Sequence, residues 1–315
     1  MSRKLRFAPP GGSLVEVTCR TLQGRFLLRP GRELNEIVVG VLGRAQQRYG
    51  VELVAVVVMS NHFHLLAWVP DALVLARFMG YLDGNLSREV GRLYDWPQTI
   101  WGRRYEAILV SDEEEAQVAR LEYLLAHGTK ESLVRRPEDW PGVHCARNLR
   151  NGTALEGLWF NRTREYAARR NRKKINKYSY AESVSMEFAK LPCWAHLSDH
   201  EYQARIVDLL DGLAEKSACE RSTRGRRLPS TSTCQKRICR QHPHSRLDQA
   251  AEKRAAPAFH AHRNRVRRLL RRAYADFLSA FRTAAEQLRN GDRTVRFPPG
   301  SFPPGLPFVP QARAP

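Results

Sequence analysis

The chain has 315 residues, 43% of them hydrophobic, enough for one large core or two ordinary ones. Lys and Arg number 52 against 32 Asp and Glu, a formal net charge of +20 that points to a polyanionic partner such as nucleic acid. No apolar stretch approaches the ~20 residues needed to cross a bilayer, and no signal-peptide core opens the sequence, so neither a membrane protein nor a secreted one is expected. Six scattered cysteines (Cys19, Cys145, Cys193, Cys219, Cys234 and Cys239) fit reduced thiols in a cytoplasmic protein.

Val15–Thr21 is a short β-rich run. Leu34–Tyr49 carries Leu34, Ile37, Val38, Val41, Leu42 and Ala45 at a helical period. Val51–Met59 and His62–Val69 are two strand-like runs joined at the turn-prone pair Ser60-Asn61, which predicts a hairpin. Ala72–Leu93 has a helical pattern interrupted by Gly80 and Gly84. Arg104–Val110 is a fourth strand, and Asp112–His127 a helix with Ser111 as N-cap and acids in its first turn. The order β-α-β-β-α-β-α predicts an α+β fold, a ferredoxin-like antiparallel sheet with packed helices. Arg135–Gly142 is a turn-rich exit, so residues 1–150 are taken as one domain.

Residues 151–315 form a basic extension, expected to be mostly helical and partly disordered. Arg162–Lys177 holds Arg162, Arg164, Arg169, Arg170, Arg172, Lys173, Lys174 and Lys177 against the single acid Glu165, with Tyr166, Tyr178 and Tyr180 among or just after them. Helices are predicted over Ser198–Lys216 and Arg263–Arg289, a loose Ser/Thr/Arg-rich segment over Ser222–Ser245, and an extended tail around the repeated Phe-Pro-Pro-Gly at 297–305.

Alternation along a strand sends His62 and His64 to one face and Phe63 to the other. Two neutral imidazoles side by side are a metal-binding pair; the bland alternative is two satisfied polar residues at a strand end. On the following helix, Tyr123 and His127 stand four apart and share a face, which alone is also compatible with an ordinary amphipathic helix end. Cys234, Cys239, His242 and His244 offer zinc ligands, but not at a standard finger spacing and within sequence expected to be loose.

The run Val58-Met59-Ser60-Asn61-His62-Phe63-His64-Leu65-Leu66 resembles the metal-binding motif of the single-tyrosine HUH transposases of the IS200-like class, and most of all the REP-associated tyrosine transposases of bacteria. Arg104–Glu114 is similar to that family's strand-to-helix segment, Tyr123–Val134 to its nucleophile helix and exit, and Arg136–Pro141 to the loop that follows. The resemblance covers about residues 10–150. It departs where the family usually has Asn-Pro and this chain has His127-Gly128; histidine is a competent ligand for a transition metal.

The resemblance implies that Tyr123 attacks a phosphodiester of single-stranded or hairpin DNA, forming a 5′-phosphotyrosine and a free 3′-hydroxyl. His62, His64 and His127 would hold the Mg²⁺ or Mn²⁺ cofactor. It implies a bacterial, nucleoid-associated enzyme, monomeric or homodimeric, acting on REP-like repeats. Arg103, Arg104 and Lys130 are candidate phosphate contacts, as are Arg169, Arg170, Arg172, Lys173 and Lys174 with their interleaved tyrosines. Solvated surface charge is the competing reading for each. Two other functions fit parts of the sequence: an inactive protein of the same fold that binds hairpin or single-stranded nucleic acid, and a hydrolytic metal phosphoesterase. The first needs neither the histidines nor the tyrosine, and the second lacks the Asp/His set of a two-metal centre.

Overall fold

The computed structural model describes residues 5–171, 176, 178–225, 227–246 and 257–302. Its first half follows the predicted order. Strand β1 (Ser13–Arg20) leads through helix α1 (Arg32–Tyr49) to the hairpin β2 (Glu52–Val58) and β3 (His62–Val69). Helix α2 (Ala72–Tyr94), strand β4 (Glu106–Val110), helix α3 (Glu114–Leu125) and the single turn α4 (His127–Lys130) come next. The strands lie in the order β2-β3-β1-β4, every neighbouring pair antiparallel, as expected for a ferredoxin-like core.

The sheet separates two cores. Val15, Val17 and Cys19 of β1 and Phe63, Leu65, Ala67 and Val69 of β3 pack against α1 and α2. Leu14, Leu66, Val57 and Val110 face the other way, onto α3 and the later helices. A bulge between Leu53 and Ala55 adds one residue to β2, so Val54 and Ala55 both reach the second core while Leu53 and Val56 stay in the first.

The extension wraps both faces. After helix α5 (Ala146–Asn151), strand β5 (Leu155–Phe160), helix α6 (Arg162–Arg170) and strand β6 (Ala181–Met186) form a second, two-stranded sheet that packs on α1. Close approach is possible because Gly40 of α1 meets Gly157 of β5; a Cβ on Gly40 would overlap the Leu158 carbonyl. Helix α7 (Asp199–Thr223) opens on a Ser198–Glu201 capping box and runs further than Lys216. It buries Tyr202, Ile206, Leu210 and Leu213 in the second core.

Three expectations are corrected. Ser222–Ser245 is not loose throughout: helix α8 (Thr231–Cys239) forms there, because Ser230 caps it by accepting from the Thr233 N–H and Ile238 anchors in the second core. The sheet is not purely antiparallel. Strand β7 (Phe259–His260), from the extension, adds in parallel at the edge of β4. That strand also explains the third difference. Ser111 does not cap α3; its N–H donates to the His260 carbonyl (2.9 Å), so it still belongs to the ladder, and its hydroxyl donates to Glu113 Oε2 (2.8 Å). Helix α3 therefore starts at Glu114 rather than Asp112.

Helix α9 (Asn264–Arg289) matches the predicted final helix, and its Tyr274 and Phe277 pack at steep angles against the ring of Phe7. The second Phe-Pro-Pro-Gly, from residue 302 onward, lies almost wholly outside the described residues, as do Arg172, Lys173, Lys174 and Lys177. Among the described residues, no helix is long and apolar enough to cross a membrane.

Candidate active site

His62 and His64 enter at the start of β3, fixed by the tight hairpin in which the Met59 N–H donates to the His62 carbonyl (2.8 Å). Both rings project from the α3 face, and Phe63 is buried under α1 and α2 on the other. Helix α3 crosses that face and ends at Leu125; Ala126 (φ −74°, ψ −3°) stays in the right-handed helical region and links it to α4, with the Ala126 N–H donating to Glu122 and the Lys130 N–H to Ala126. His127, four residues after Tyr123, is thereby presented to the histidine pair. The ring centroids of His62, His64 and His127 lie 4.7–5.2 Å apart. One ligand nitrogen from each falls within 4.8 Å of the others, and among the described residues this is the one group of three or more His, Cys, Asp or Glu so placed. Cys234, Cys239, His242 and His244 form no such group; Cys234 is on the buried side of α8, and His244 packs edge-on against Trp96.

Partners on the outer ring nitrogens settle which atoms face inward. Asn61 Oδ1 lies 2.6 Å from His62 Nδ1, leaving Nε2 to meet His127 Nε2 at 2.8 Å. His64 Nδ1 is held by Glu16 Oε1 (3.1 Å) and by Thr18 Oγ1 (2.9 Å), which leaves its Nε2 for the centre. A carboxylate or amide on the far nitrogen is the usual way a ligating imidazole is oriented and made more basic. The donor set fits a divalent cation, and three imidazoles without a carboxylate favour Mn²⁺ or a later metal over Mg²⁺.

Tyr123 stands beside this group, its ring centroid 5.7 Å from His64 and 5.9 Å from His127. Two cations flank it. The Arg120 guanidinium lies 4.4 Å and the Lys130 ammonium 5.4 Å from the ring centroid. Burial, with the Glu16 carboxylate nearby, raises the Tyr123 pKa above that of a free phenol, and Arg120 opposes the rise.

Glu16 joins the two halves of the site. It is 1% exposed, takes His64 on one oxygen and forms an ion pair with Arg120 on the other. Sequence patterns alone do not single out Glu16, Thr18 or Arg120. Glu16 does leave a signal, being the one charged residue of β1 before its terminal Arg20, on the same face as Thr18 by alternation. Its meeting with His64 follows from the pairing Glu16–Leu66 and Thr18–His64, which no local pattern encodes. His260 of β7 sits on this face in register with Val110; burial, then Arg120, lowers its pKa.

The candidate DNA contacts divide. Lys130 is exposed at the tyrosine. Arg103 and Arg104 are exposed near the same end of the sheet: the neighbouring Gly102 N–H donates to the Arg20 carbonyl, and Arg20 is in register with His62, while Arg103 pairs with Glu106 (2.7 Å). Arg169 and Arg170 are exposed on α6, which is tied by the Arg162–Glu89 ion pair to α2 and so lies on the face opposite the histidines. Arg169 is paired with Glu165 (2.6 Å).

Residues 30–123 match the family described as "Transposase IS200 like", a span that includes His62 and His64 and closes on Tyr123. No curated protein matches the sequence. Among solved structures, the chain is similar to a REP-associated tyrosine transposase bound to a REP hairpin, at 16% identity and a TM-score of 0.40, over 48% of this chain and 87% of that one. It is also similar to a protein assigned as a transposase from Deinococcus radiodurans, at 21% identity and a TM-score of 0.28, over 38% of this chain and 95% of that one.

Proposed function

We propose that this chain, whose residues 30–123 match the IS200-like transposase family, nicks and rejoins single-stranded DNA through Tyr123. One observation supports this above all: three imidazoles converge beside a tyrosine that is flanked by two cations. A binding protein needs no such convergence.

The Tyr123 hydroxyl oxygen forms a bond to phosphorus, and its proton passes to solvent. The bond from phosphorus to the 3′-oxygen of the preceding nucleotide breaks, and that oxygen takes up a proton as a free 3′-hydroxyl. The 5′-phosphotyrosine so formed conserves the ester, and attack by a 3′-hydroxyl reverses the step without an energy source. Arg120, held by Glu16, opposes the upward push that burial gives the phenol, and Lys130 adds a second positive charge over the ring. Lys130, being exposed, is also able to approach a DNA phosphate. A divalent ion held by His62, His64 and His127, Mg²⁺ or Mn²⁺, would polarise the phosphate and offset the charge that builds on it.

The substrate in this reading is single-stranded DNA beside a hairpin of a REP-like repeat, consistent with the net charge of +20. Residues 1–150 are the nuclease domain, and residues 151–315 an extension that brackets it. Incubation with single-stranded oligonucleotides and Mn²⁺, followed by a denaturing gel, should give a slower protein band. Tyr123→Phe should remove that band and bind DNA almost as before. An adduct that persists in the variant ends the assignment.

A further inference from the structure

A second cluster of arginines lies apart from the tyrosine. A cavity of about 550 Å³ opens between the last turns of α7 and two loops, lined by Arg135, Arg136, Arg221 and Arg227 with Glu215 as the only acid. Its size falls within the roughly 300–1,000 Å³ of ordinary ligand sites. Two of the four arginines have structural work. Arg135 donates to the carbonyls of Leu228 (3.1 Å) and Pro229 (3.2 Å), which fixes one wall, and Arg136 pairs with Asp211. Arg221 is different: its Nη1 is buried and has no hydrogen-bond partner. That nitrogen is shielded from the cavity, so the rest of the Arg221 guanidinium, with exposed Arg227, is what lines the space where phosphate oxygens would suit it in charge and geometry.

Position identifies the phosphate. Helix α7 packs directly against α4, the turn that bears His127 and Lys130. From Lys130 to Arg135 the chain spans at most ~18 Å, or about five stacked nucleotides at ~3.4 Å each. We propose that this cavity holds the backbone of single-stranded DNA a few nucleotides from the bond cut at Tyr123, with Arg221 and Arg227 binding phosphates. The proposal rests on single-stranded DNA being the substrate. It makes the extension part of the DNA path, since α7 and the 227–228 loop both belong to it.

The test is the salt dependence of binding, measured without metal by fluorescence anisotropy on the full chain, so that it is independent of the chemical step. Removing one phosphate-binding cation lowers the slope of log K against log salt by about 0.7 for a single strand. The double variant Arg221→Gln with Arg227→Gln should lower it by about 1.4 and weaken binding roughly tenfold at ~0.15 M salt. A slope equal to the wild type overturns the proposal, whereas absence of adduct in the wild type would instead overturn the nuclease reading. On the unaltered protein, a single-stranded oligonucleotide should protect Arg221 and Arg227 from phenylglyoxal. Equal labelling with and without the oligonucleotide, or equal protection by a free mononucleotide, would also overturn it.

Discussion

Replacing Glu16 by Gln probes the link between the histidines and the tyrosine. The carboxylate is 1% exposed and has two charged or polar partners, His64 at 3.1 Å and Arg120. Gln keeps the shape but removes the charge, leaving the half-buried Arg120 opposite a neutral amide. Breaking a buried pair in this way costs about 3–5 kcal/mol of stability. The second effect is specific. Loss of the group that orients a ligating imidazole lowers metal affinity about 10–100-fold. Glu89 supplies the control: it is also buried (6% exposed) and also paired with an arginine, Arg162, but on the far side of the sheet. Glu89→Gln should lose comparable stability and no Mn²⁺ affinity. Calorimetric titration of Mn²⁺ into both folded variants separates the cases. An affinity for Glu16→Gln within about twofold of wild type, or an equal loss in both variants, would refute the reasoning.

Other expectations concern the scaffold. Gly40→Ala should destabilise the protein by about 3 kcal/mol or more, because the new methyl meets backbone of β5 rather than a side chain that can turn aside; hydrogen exchange over residues 155–160 should rise most. Gly80 is exposed within α2, with nothing within 4 Å of an added Cβ, so Gly80→Ala should raise stability by about 0.5–1 kcal/mol in urea unfolding. Burial raises the Asp83 carboxyl to about 7, with Arg6 opposing. The native protein then keeps a proton that the unfolded chain releases near pH 4. Stability from this group is therefore present below about pH 4 and lost as pH rises to about 7, on the order of 4 kcal/mol in all. Asp83→Asn should remove that slope, and an unchanged difference between unfolding at about pH 5 and about pH 8 would contradict it.

The core is readable wherever one face of an element is buried over several residues. The 3.6-residue rhythm of Leu34 to Ala45 and the strand runs on either side of Ser60-Asn61 mark α1 and the β2–β3 hairpin because a continuous apolar face must be covered. The same rule puts His62 and His64 on one side. It has no purchase on β7, two residues long and paired with a strand about 150 positions earlier. The β5–β6 sheet is hidden in another way, since the basic segment between its strands dominates the composition there. In α8, a short helix with only Cys234 and Ile238 buried offers too little periodicity to outweigh its Ser, Thr and Arg content. At the site, residues four apart on one helix are visible, but the Glu16 bridge joins three elements and depends on strand register. Lys130 is legible only as a charge; its place over the Tyr123 ring needs the helical path to continue from α3 into α4, as the Lys130 N–H to Ala126 carbonyl bond shows it does.

Mapping the covalent attachment gives the most direct reading of the catalytic assignment. After reaction with a single-stranded oligonucleotide, nuclease trimming and trypsin, the peptide Leu121–Lys130 contains Tyr123 as its one tyrosine. Mass spectrometry should find a 5′-phosphonucleotide on that tyrosine and on no other residue. A nucleotide on a different side chain, or cleaved DNA with no modified peptide, would contradict the account.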